Sequence, residues 1–163
     1  MSATVELLGR QHQDVLARLS AVEQAGGRNG VLADLANYLR REVMDHFVLE
    51  EQALFPILER HIGRDHGPLA VMDMEHASFR ELLQDLTGSL GSADAAQAQR
   101  HAQALVSLLR DHIAKEDNIL FPMATRMLSD AEAAEVDARA RAMGTAAAPA
   151  AAPAADSSQG HRA

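Results

Sequence analysis

The stretch His46-Phe47-Val48-Leu49-Glu50-Glu51-Gln52-Ala53-Leu54-Phe55-Pro56 returns 66 residues later as His112-Ile113-Ala114-Lys115-Glu116-Asp117-Asn118-Ile119-Leu120-Phe121-Pro122. Five residue types recur in register: a histidine, a glutamate four residues on, and then Leu-Phe-Pro. Side chains four apart share one face of an α-helix, so each copy presents an imidazole beside a carboxylate. In the first copy that face is the stripe Leu35, Leu39, Val43, His46, Glu50, Ala53 and Ile57, which is otherwise apolar. A stripe of this spacing is the buried side of a helix, so the pair points inward.

The helices before each pair repeat as well. A shift of 64 residues lays Leu8, His12, Val15, Leu19 and Val22 on Met72, His76, Phe79, Leu83 and Leu86. Both sets step by four, three, four and three, a core seam interrupted once by histidine. The chain therefore reads as two copies of one helical hairpin. Each copy supplies a seam histidine and then a His-x-x-x-Glu pair.

Helix boundaries follow from turn chemistry. A first helix is expected from Thr4 to Ala25, ending at Gly26-Gly27, and a second from Val31 to His61. Pro68 suits the first turn of a third, reaching Ser89, and Gly91-Ser92 separates it from a fourth that ends near Met127. Ser129, followed by Asp130 and Glu132, opens a short fifth helix ending at Met143. The expected architecture is all-α: an up-down four-helix bundle over residues 1–128, a short C-terminal helix over 129–143 and an Ala/Pro-rich disordered tail over 144–163. His161 lies in that tail and is left out of any site.

Bulk composition narrows the function. Of 163 residues, 15 are Lys or Arg and 23 are Asp or Glu, and a net charge of −8 leaves no basic footprint for nucleic acid or an anionic membrane. No apolar run approaches the ~20 residues of a membrane span, and no leader is evident, so a cytoplasmic protein is expected. With no cysteine, thiol chemistry and cysteine-held clusters are excluded.

Four histidines and two carboxylates turned into one core would each cost several kcal/mol if left uncompensated, on the order of a small domain's whole stability. A metal supplies the compensation. The candidate ligands are His12, His46, Glu50, His76, His112 and Glu116. Six ligands without a thiolate exceed a tetrahedral zinc site and suit two octahedral ions bridged by carboxylates, with iron favoured and manganese second. The Glu-x-x-His spacing of ferritin-like sites is missing.

Neighbouring residues are read more plainly. Glu51 and Asp117 fall beside the stripe as solvated or ligand-supporting carboxylates, and Glu75 faces solvent or orients a neighbour. Phe55 and Phe121 are packing residues, and Pro56 and Pro122 kink or break their helices. His101 lies on the inward stripe about three turns, or ~16 Å, from the ligand level, too far to bind. His61 and His66 are expected in solvent, and Tyr38 in the core. One step does not close: folding the chain back at Gly91 sets His76 opposite Val106, short of His112 by ~9 Å.

His12, His46-x-x-x-Glu50, His76 and His112-x-x-x-Glu116, with Leu-Phe-Pro after each pair and Met72-x-x-Glu75-His76 between them, resemble the hemerythrin or HHE cation-binding domain across residues 5–125. The resemblance implies a non-haem di-iron centre with a bridging oxo or hydroxo group. His12 and His46 would bind one iron, His76 and His112 the other, and Glu50 and Glu116 would bridge them. Oxygen-carrying hemerythrins have a further histidine where this chain has Met72, and place their last carboxylate at the position of Asp117, which therefore competes with Glu116. The Met-x-x-Glu-His and Leu-Phe-Pro motifs are similar to those of iron–sulfur cluster repair proteins. Those carry an additional histidine late in the first bundle helix and often a cysteine-bearing leading segment, and neither is present here.

The expected function is binding of dioxygen, nitric oxide or peroxide at the di-iron centre, for handling, sensing or stress response, with a binding protein preferred to an enzyme. The alternatives are a peroxide-decomposing enzyme, a cluster-repair factor and a metal-free helical interaction module.

Overall fold

The computed structural model describes residues 1–25 and 29–144. The expected helix end at Gly26-Gly27 and the reading of residues 145–163, His161 included, lie outside the described residues.

Helix α1 spans Ala3–Ala25. Helix α2 runs over residues 29–62, with its α-helical winding interrupted by wider π-helical turns at Leu39–Val43 and Glu50–Leu54. Helix α3 is Pro68–Gly91. Helix α4 runs over residues 95–127, with a π-helical turn at Glu116–Leu120, and α5 is Asp130–Ala142. The four long helices form the expected up-down bundle, and no strand occurs among the described residues. None of their helices is long and apolar enough to cross a membrane.

The breaks follow from residue chemistry. Gly63 ends α2 with φ 69° and Gly67 precedes α3 with φ 78°, conformations that disfavour a side chain, and Pro68 then starts α3. Asp94 caps α4 by accepting the Gln97 N–H at 3.0 Å. Ser129 and Glu132 form a reciprocal capping box on α5. The turn from α3 to α4 is centred later than Gly91, on Ser92-Ala93-Asp94. Reflection about Ala93 sets His76 opposite Arg110, about two residues short of His112, so this later centre absorbs most of the offset noted above.

Helix α5 packs on α1 and on the last turns of α2. Asp137 receives the N–H of Ala3 and of Thr4 at 3.1 and 2.9 Å and the hydroxyls of Ser2 and Thr4 at 2.6 and 2.7 Å, capping α1 from a distant helix. Arg60 makes a two-pronged contact with Glu135, and His61, expected in solvent, reaches Glu132 at 2.8 Å. His66 is exposed as expected.

The apolar core falls into two clusters. One contains Val15, Leu19, Val43, Phe47, Phe79, Leu109 and Ile113. The other contains Leu8, Leu49, Leu54, Met72, Leu120 and Val136. Each of the four seam or paired histidines lies between members of both clusters in its own helix, so the polar residues form a layer sealed between two greasy halves. Tyr38 packs against the first cluster, with Arg18 over its ring.

Candidate metal centre

The prolines of the two repeats shape this layer. Pro56 and Pro122 have no N–H, so one carbonyl on the preceding turn loses its α-helical donor. Both helices respond with a wider turn directly before the proline: the Phe55 N–H bonds to the Glu50 carbonyl, and the Phe121 N–H to that of Glu116. In the second repeat the Asn118 side-chain amide also donates to the Ala114 carbonyl at 2.6 Å. The prolines therefore change the winding at the two glutamates and leave the helices unbroken. Isolated π turns of this kind frequently occur at functional sites.

All six sequence-selected residues meet in this layer and are buried, with His46 the most accessible at 4%. Their inner atoms face one another. His46 Nε2 stands 3.1 Å from Glu50 Oε1, and His76 Nε2 lies 3.3 Å from Glu50 Oε2. His12 Nε2 and His112 Nε2 both lie 3.2 Å from Glu116 Oε2. His12 and His46 approach each other at 3.1 Å between Nε2 atoms. The groups fall into two overlapping sets, His12, His46, Glu50 and Glu116, and Glu50, His76, His112 and Glu116, each with ligand atoms within 4.8 Å of one another.

His12 and His46 are placed to share one hydrogen bond through their Nε2 atoms, but the contacts to the two glutamates are close without being aligned for hydrogen bonding. Both oxygens of Glu50, both of Glu116, and Nε2 of His76 and of His112 are buried without a hydrogen-bond partner. Six orphaned polar atoms in one spot would cost several kcal/mol in a metal-free core. Donor separations slightly above 3 Å are those of ligands about 2.1 Å from a shared ion at right angles. The chemistry of the set therefore fits metal ions with nitrogen and oxygen ligands.

The outer edge of every ring is held. Nδ1 of His12 donates to Asp117 at 2.7 Å, that of His76 to Glu51 at 2.6 Å and that of His112 to Glu75 at 3.0 Å. His46 Nδ1 meets the Gln11 side-chain oxygen at 2.9 Å. Arg80 braces Glu51 at 2.7 Å, and Lys115 braces Glu75. Such outer partners fix a ring with Nε2 turned to a metal.

With protons as the only counterions the layer is electrically frustrated. Burial, and then the Glu116 charge, push Glu50 up to about 7. Burial opposes charge on Glu116 too, but His112 and His12 overcome it and hold its carboxyl far below the usual range. Burial disfavours charge on His112, yet Glu116 and Glu75 carry it up to about 10. His46, desolvated and beside His12, falls to about 3.

Aromatic rings wall the layer. Phe47 stacks on His76 with centroids 3.7 Å apart, Phe121 on His12 at 5.2 Å and Phe55 on His76 at 5.7 Å. The prolyl-linked phenylalanines thus pack directly on site histidines. A small cavity of about 10 Å³ borders His12, His46 and His112 and is otherwise lined by Val15, Val43, Phe47, Leu109 and Ile113. His101 is elsewhere, 3.1 Å from the Ser89 hydroxyl.

Of the supporting residues, spacing along the sequence does not single out Gln11 and assigns no partners to Glu51, Glu75 and Asp117. A signal existed. The 66-residue shift aligns Glu51 with Asp117, and the 64-residue shift aligns Gln11 with Glu75, so supporting positions repeat along with the ligands.

Residues 3–124 match the family described as the Hemerythrin HHE cation binding domain. The chain is 34% identical over 132 residues to the "Iron-sulfur cluster repair protein YtfE" of Edwardsiella ictaluri, covering 71% of this chain and 60% of that protein. It is 33% identical over 102 residues to the protein of that name from Enterobacter sp., covering 57% of this chain and 46% of the relative. The Yersinia pestis protein is 33% identical over 106 residues, covering 60% of this chain and 48% of its own length. This chain thus spans about half the length of the relatives it matches. No solved structure matches it.

Proposed function

The chain belongs to the hemerythrin HHE cation-binding domain family, and from that premise we propose that it holds two iron ions in a carboxylate-bridged pair that binds dioxygen, nitric oxide or peroxide. His12 and His46 hold one ion, His76 and His112 the other, and Glu50 and Glu116 are shared. The observation that supports this is the pair of ligand groups with both carboxylates in common, in which the inner atoms of Glu50, Glu116, His76 and His112 are orphaned. When bound, the ions supply Lewis acidity and redox chemistry, with coordination positions left over for a small ligand. The chain's own contribution is to orient the four imidazoles through their Nδ1 partners and to exclude bulk water with Phe47, Val15, Leu109 and Ile113. The cavity bordered by His12, His46 and His112 has room for a guest of about one water's size, which suits a diatomic ligand better than an organic substrate.

A second reading, a part in iron–sulfur cluster repair, is favoured by the names of the matched relatives, at identities near one third. The two readings share the metal pair and differ in what it serves. Metal analysis with optical and Mössbauer spectroscopy on anaerobically prepared protein, before and after dioxygen, nitric oxide or hydrogen peroxide, tests the first. The expected result is about two irons per chain, as in carboxylate-bridged bundle sites, with a spectrum that changes on addition of one of these ligands. A zinc-only protein, or a content near one after careful reconstitution, would count against the pair. Sustained peroxide consumption would move the assignment to a peroxide-decomposing enzyme.

A further inference from the structure

The four histidines are not held alike. Three donate an Nδ1–H hydrogen bond to a carboxylate, while His46 faces the Gln11 amide. The repeat makes this difference specific: Gln11 occupies the position that Glu75 occupies in the second hairpin, and the position of Lys115, which braces Glu75, is Leu49 in the first.

A carboxylate only accepts, so Asp117, Glu51 and Glu75 each keep a proton on Nδ1 and leave Nε2, the nitrogen turned inward, as the one that can bind a metal. They also make those rings better donors to a metal. An amide carries an acceptor on one arm and a donor on the other, and half a turn exchanges them. Gln11 can therefore satisfy His46 in either tautomer, including the one with its proton on Nε2. In that form His46 does not bind metal, and its Nε2–H is within reach of the His12 Nε2, 3.1 Å away. His46 alone has this second resting arrangement. It is also the most accessible of the four histidines and borders the small cavity.

We propose that Gln11 makes His46 the exchangeable ligand of the centre, so that the position served by His12 and His46 is the last to fill with metal and the first to empty. Gln11 is then a positioning residue that acts through His46. The inference rests on the paired-metal reading of the preceding section.

The test is an anaerobic titration of metal-free protein with Co(II), followed by its visible ligand-field absorption and by competition with a chelator. The wild type should take up two equivalents in two resolved steps. Gln11→Glu, which gives the first hairpin the outer carboxylate of the second, should tighten the second step by about tenfold or more, the range in which outer-shell partners act. Gln11→Leu should weaken the same step by a similar factor, and both variants should leave the first step nearly unchanged. A residue that merely fills space would weaken binding in both variants. Two equivalents bound with merged steps in the wild type, with steps insensitive to residue 11, or with both steps shifted equally, would overturn the inference and leave the paired centre standing. Uptake of fewer than two equivalents by the wild type would remove the paired centre and the inference together.

Discussion

Asp117 accepts a hydrogen bond from the Nδ1–H of His12 at 2.7 Å, on the outer edge of a ring whose inner nitrogen faces the preceding residue, Glu116, at 3.2 Å. Adjacent carboxylates of one helix thus address opposite edges of the same imidazole. Glu116 is fully buried among the inner atoms, while Asp117 remains 31% exposed.

This division predicts different outcomes for two isosteric changes. Glu116→Gln removes a shared anionic ligand, and iron content and the spectrum of the bridged pair should be largely lost. Asp117→Asn keeps an oxygen that can accept from His12, so iron content should fall by less than about tenfold in affinity, the lower end for outer-shell changes. Metal analysis and optical spectroscopy of the two proteins compare them directly. Loss of the bridged spectrum in Asp117→Asn alone would place the bridge at the five-residue spacing of the oxygen carriers.

The ligand positions predict a second contrast. His112→Ala and His46→Ala should each cut iron content sharply. His101→Ala should leave it unchanged, since its ring partners Ser89 far along α4 from the site. Equal iron loss in His101→Ala and His112→Ala would sink the assignment of the layer.

The fold and the six inner residues were legible because both follow from spacing within single helices. His46 with Glu50, and His112 with Glu116, lie one turn apart, and the seams around His12 and His76 repeat in register. The outer partners were not legible as pairs, because each joins two helices: Asp117 to His12, Gln11 to His46, Glu51 to His76, Glu75 to His112. Single-helix spacing places such residues beside the stripe and says nothing of what stands across the gap. The π turns were hidden for a related reason. Pro56 and Pro122 announce a lost hydrogen bond, but whether a helix kinks or widens depends on the packing of Phe55 and Phe121 against rings of other helices. The His61 contact to Glu132 arises only because α5 folds back onto α2.

The turn between α3 and α4 offers a stability test away from the site. Ala93 has φ 57°, a left-handed conformation that penalises a Cβ by about 1 kcal/mol or more. Ala93→Gly relieves that penalty, partly offset by the greater freedom of glycine in the unfolded chain. Thermal unfolding followed by circular dichroism should show Tm higher by roughly 1–2 °C, since the net gain is a fraction of the ~1 kcal/mol that shifts Tm by about 2–4 °C at this size. An unchanged or lower Tm would mean that the Ala93 methyl contributes packing that outweighs the strain.

The last prediction concerns acid stability and the docking of α5. Burial opposes the charge of Asp137, but donors from Ser2, Thr4 and Ala3 outweigh it and lower its carboxyl below the ordinary 3.8. A carboxyl whose folded value is depressed binds protons more readily in the unfolded chain, so its stabilisation is complete above the unfolded value and is lost as pH falls through the folded one. Asp137 should therefore stabilise the protein at neutral pH and cease to do so in acid below pH 3.8. Asp137→Ala removes the cap and should cost about 1–2 kcal/mol at neutral pH. Asp137→Asn keeps one accepting oxygen but no charge, and should lie between wild type and alanine. The difference between wild type and Asp137→Asn, measured by urea unfolding at a series of pH values, should be constant from neutral pH to about pH 5 and then shrink as Asp137 itself protonates. Because the remaining carboxylates are common to both proteins, their contributions cancel in that difference. A gap that persists unchanged down to pH 2, or one that widens in acid, would show that the charge on Asp137 is not what secures the start of α1 to α5.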